Sequence, residues 1–107
     1  MNALNKAHLD LLWDNIEEKS GLVAMWDTLL AGALERARQL EVVVDQVETM
    51  YGEESFEFEE ASSILTAMRG AVNMISKHYF VTTEKYEQAF SEYEAYDVLL
   101  KASGINP

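Results

Sequence analysis

Apolar residues recur along this chain at intervals of three and four, almost from one end to the other. The first stretch, roughly 3–19, sets Leu9, Leu12, Trp13 and Ile16 on one side and Asp10, Asp14, Glu17 and Glu18 on the other, which predicts an amphipathic helix. Ser20 and Gly21 then read as a helix end and a fresh cap. From about 22 to 51 the apolar positions are Leu22, Trp26, Leu29, Ala33, Ala37, Leu40, Val44, Val47 and Tyr51, again in threes and fours. From about 56 to 80 they are Phe58, Ala61, Leu65, Met68, Val72, Ile75 and Tyr79, which is three heptads of the pattern that packs as a coiled coil. A last segment, 84–102, takes Thr82 or Thr83 as its N-cap and Glu84 in its first turn. It carries Tyr86, Ala89, Phe90, Tyr93, Tyr96, Leu99 and Leu100 on a wide apolar-aromatic face.

Gly52–Ser55 is a short link between the two central segments, so they should lie side by side and antiparallel. Facing positions should then sum to about 108 in residue number, since the chain turns near 53–54. That register sets Val47 against Ala61, Val44 against Leu65, Leu40 against Met68, Ala37 against Val72 and Ala33 against Ile75, an apolar partner in every case. The only proline is Pro107, so nothing internal forbids long helices. Gly21, Gly52 and Gly104 each follow a helical stretch, where a left-handed cap is expected, and Ile105–Pro107 should fray. The sequence thus predicts an all-α fold and one domain over 1–107. Its form is a small elongated bundle of about four helices (3–19, 22–51, 56–80, 84–102) built on a long antiparallel helical hairpin.

Composition narrows the class. A chain of 107 residues, 49% hydrophobic and 25% charged, matches a soluble globular domain. It has no cysteine, so disulfides, thiolate metal sites and thiol nucleophiles are excluded. Its start lacks the basic and uninterrupted apolar character of a signal peptide, and the apolar runs are too short to span a bilayer. A soluble, cytoplasmic protein is expected.

Charge changes the picture more. The formal net charge is −11, and residues 39–68 hold eight acids and no base. That block alone contributes −8, against −2 from residues 1–38 and −1 from residues 69–107. Such a field repels nucleic acid and anionic membrane and attracts basic partners, so direct nucleic-acid binding and membrane binding are not expected.

Carboxylates in a helical bundle raise the question of a dinuclear metal centre. Such centres use a Glu three residues before a His on each of two helices, but Asn5 precedes His8 at that spacing and Ile75 precedes His78. The Gly52–Glu60 stretch offers glutamates interleaved with phenylalanines rather than the alternating ligands and central glycine of a calcium loop. Both histidines read as surface imidazoles, with His78 near a helix C-terminus. Ser62, Ser63, Ser76 and Ser91 have no nucleophile elbow around them, and no glycine-rich phosphate loop occurs. The expectation is therefore no enzyme: no catalytic residue, no cofactor and no metal.

Two features remain. Glu48, Glu53, Glu54, Glu57, Glu59 and Glu60 crowd one turn of the chain. Glu48, Glu53 and Glu54 lie at a helix C-terminus, where negative charge is disfavoured by about 0.3–1 kcal/mol each. They form either a solvated surface or a binding pole for a basic protein. Phe58 fits the core pattern, whereas Phe56 falls outside it, as an anchor for an arginine or as a staple on the following helix. The second feature is aromatic. Tyr86, Tyr93 and Tyr96 cover more of their helix than one seam needs and could form a homodimer face.

In size, acidity, helicity and lack of cysteine the chain resembles, as a class, the small inhibitors of phages and mobile elements, such as anti-CRISPR and anti-restriction proteins, some of which are DNA mimics. What that resemblance implies is a non-enzymatic inhibitor or regulator whose acidic surface occupies a basic, nucleic-acid-binding surface of a partner protein. The alternative is a helical assembly or chaperone-like module acting through its apolar-aromatic face.

Overall fold

A computed structural model describes residues 5–104, so positions 3 and 4 of the first expected helix and the expected fraying at 105–107 lie outside the described residues. Within them the chain is two long α-helices and no strand. α1 spans Lys6–Tyr51 and α2 spans Phe56–Ala102.

Four helices were expected, and two are found. The Ser20–Gly21 step and the Thr82–Thr83 step both lie inside continuous helix. Among the described residues only Gly52 and Gly104 take a positive φ, at 92° and 78°, so Gly21 is not a left-handed cap. The reason lies in the inward-facing residues. Along α1 the buried and half-buried positions include Leu9, Leu12, Ile16, Lys19, Val23, Trp26, Leu30, Ala33, Ala37, Leu40, Val44 and Val47, which follow one another in steps of three and four. Along α2 they include Phe58, Ala61, Leu65, Met68, Val72, Ile75, Tyr79, Thr82, Tyr86, Ala89, Tyr93, Tyr96 and Leu100, in the same steps. A helical glycine costs about 1 kcal/mol relative to alanine, and threonine less, whereas a helix break would shift the phase of every inward side chain beyond it. Lys19 obscures this in the sequence, because its aliphatic stem occupies a seam position while its ammonium stays 3.5 Å from Glu18.

Several side chains expected on an apolar face are instead exposed. Val23 and Leu30 take the seam, leaving Leu22 and Leu29 outside, and Leu100 is buried while Leu99 is not. Trp13, Tyr51 and Phe90 are likewise exposed. Each stretch carries two apolar stripes of equal period, and contact with the opposite helix selects one of them.

Tertiary contacts group the chain into two units, one formed up to Met25 and from Phe80 onward, the other from Trp26 to Tyr79. In the first, α1 starts on an Asn5 cap: Asn5 Oδ1 accepts the His8 N–H at 2.8 Å. The Asn5 N–H in turn donates to the Tyr96 hydroxyl at 2.9 Å. The His8 ring meets Tyr96 at 4.6 Å and the Trp13 ring meets Tyr93 at 5.3 Å, so later residues of α1 meet earlier residues of α2 and the two stretches are antiparallel. Lys101 sits 2.9 Å from Asp97, and the bond and charge of that carboxylate raise its pKa. In the second unit the helices form the expected antiparallel hairpin. Arg69 reaches Glu41 at 3.1 Å and the Trp26 and His78 rings stack at 4.8 Å. Leu65, Ala33 and Ala37 are buried between the helices.

Candidate functional acidic turn

The turn between α1 and α2 follows from four residues. Tyr51 ends α1, and Gly52, free of a Cβ, takes the left-handed conformation while its N–H bonds the Glu48 carbonyl at 2.8 Å. Ser55 is the N-cap of α2. Its hydroxyl oxygen accepts the Phe58 N–H at 3.1 Å and donates to the Gly52 carbonyl at 2.8 Å, tying the two helix ends together. Glu53 and Glu54 form the link itself.

Around this turn Glu48, Glu53, Glu54, Glu57, Glu59 and Glu60 are all exposed, and among the described residues none of them is in an ion pair. Glu57 and Glu59 lie in the first turn of α2, where the helix dipole favours them. Glu48 lies in the last turn of α1, which contains no base. Glu53, Glu54 and Glu59 share one shallow groove with Ser55, Phe58, Ser62, Ser63 and Thr66. Glu48, Glu57 and Glu60 lie outside that groove, as does Phe56. Phe58 is half-buried, as its place in the core pattern implies, whereas the Phe56 ring is 72% exposed. A ring so open to water is not stapled onto α2.

The tyrosines singled out for a dimer face are arranged differently. Tyr86, Tyr93 and Tyr96 are each half-buried. Tyr93 packs on Trp13, Tyr96 on His8 at 4.6 Å, and Tyr86 lies 6.5 Å from Phe90. Sequence reasoning did not anticipate that Tyr96 would fasten the start of α1, a role that depends on contact across 91 residues of chain.

His78 is exposed, as expected, but it stacks on Trp26 with the ring planes 9° apart. Among the described residues no three His, Asp or Glu side chains converge as a metal-binding group. No helix among them is long and apolar enough to cross a membrane. Comparison with protein-family models, with curated proteins and with solved structures finds no match to this chain.

Proposed function

We propose that this chain is a non-enzymatic protein-binding module, an inhibitor or regulator whose acidic turn occupies a basic surface of a partner protein. The observation that carries the proposal is the groove lined by Glu53, Glu54 and Glu59 together with half-buried Phe58, with no ion pair on those three carboxylates among the described residues. Carboxylates beside an aromatic ring suit an arginine, whose guanidinium bonds the acids while its plane lies against the ring. Exposed Phe56 beside the groove supplies a second apolar contact. Six uncompensated charges also favour a partner surface that otherwise takes a polyanion, since such surfaces concentrate Lys and Arg. In this role the chain competes with nucleic acid rather than binding it.

An affinity capture at low salt with stepwise salt elution tests this. Partners should be basic proteins that elute early, and reversing Glu53, Glu54 and Glu57 to lysine should abolish their capture while the far-ultraviolet spectrum stays helical. Normal capture by the triple variant would overturn the proposal.

A second reading, a helical assembly module, is favoured by a separate observation: large apolar side chains such as Leu29, Ile64 and Met74 are left exposed along both helices.

A further inference from the structure

We draw no further inference here: the strongest candidate, the exposed apolar stripe through Leu29, Val43, Ile64 and Met74 on the Trp26–Tyr79 unit, is interrupted by Arg36 and Gln39, and nothing in the structure shows what covers it.

Discussion

The indole of Trp26 and the imidazole of His78 lie face to face, their centroids 4.8 Å apart and their planes 9° from parallel. Trp26 is half-buried in the seam, and the exposed His78 ring covers its flank. Offset aromatic pairs add about 0.5–1.5 kcal/mol beyond the area they bury. A double-mutant cycle with Trp26→Leu and His78→Ala, read by chemical denaturation, should give a coupling energy of that size. A coupling near zero would mean that the stack contributes only surface coverage.

Gly21 provides a direct check on helix continuity. It has ordinary helical φ, and a Cβ built there meets nothing within 4 Å. Gly21→Ala should therefore stabilise the fold by about 0.5–1 kcal/mol, as should Gly70→Ala, where the space is equally open. A loss of stability at Gly21 would indicate a left-handed cap and two separate helices.

Gly52 should respond in the opposite direction. Its φ of 92° is strained for any residue with a Cβ, so Gly52→Ala should cost about 1–2 kcal/mol. Ser55→Ala, which removes the N-cap of α2, should cost about 1 kcal/mol. Thermal unfolding of both variants beside Gly21→Ala would show the three effects with their two signs.

Phe56 separates the binding role from a structural one. With its ring 72% exposed, Phe56→Ala should change stability by less than about 0.5 kcal/mol. If the ring anchors a partner, the same change should weaken capture by about 1–3 kcal/mol, chiefly through faster dissociation in surface plasmon resonance. Unchanged dissociation would restrict the contact to the glutamates.

Tyr96 fastens α1 through one hydroxyl. Tyr96→Phe keeps the ring on His8 but removes the acceptor for the Asn5 N–H, and should cost about 0.5–1.5 kcal/mol. Hydrogen exchange should then quicken at His8 and Leu9 while the Gly52–Ser55 turn is unaffected.

What the sequence by itself determined is mainly local. Three-four spacing without internal proline makes the chain helical, Gly52 and Ser55 mark the turn between α1 and α2, and the steps from Phe58 to Tyr79 identify the α2 seam. The acidic character of that turn was equally legible, since charge needs no fold to be counted. The tertiary structure decided what depends on the opposite helix. Ser20–Gly21 and Thr82–Thr83 carry the residues of caps but remain helical, because seam contacts on both sides outweigh a penalty of about 1–1.5 kcal/mol at each step. Val23 and Leu30 face inward where Leu22 and Leu29 were expected, and of the expected pair Leu99 and Leu100 only Leu100 does so. Two adjacent apolar stripes have the same period, so periodicity cannot rank them. Only packing against a partner helix does, and it also decided that Tyr93 and Tyr96 are engaged with α1, while Leu29 and Met74 are left exposed.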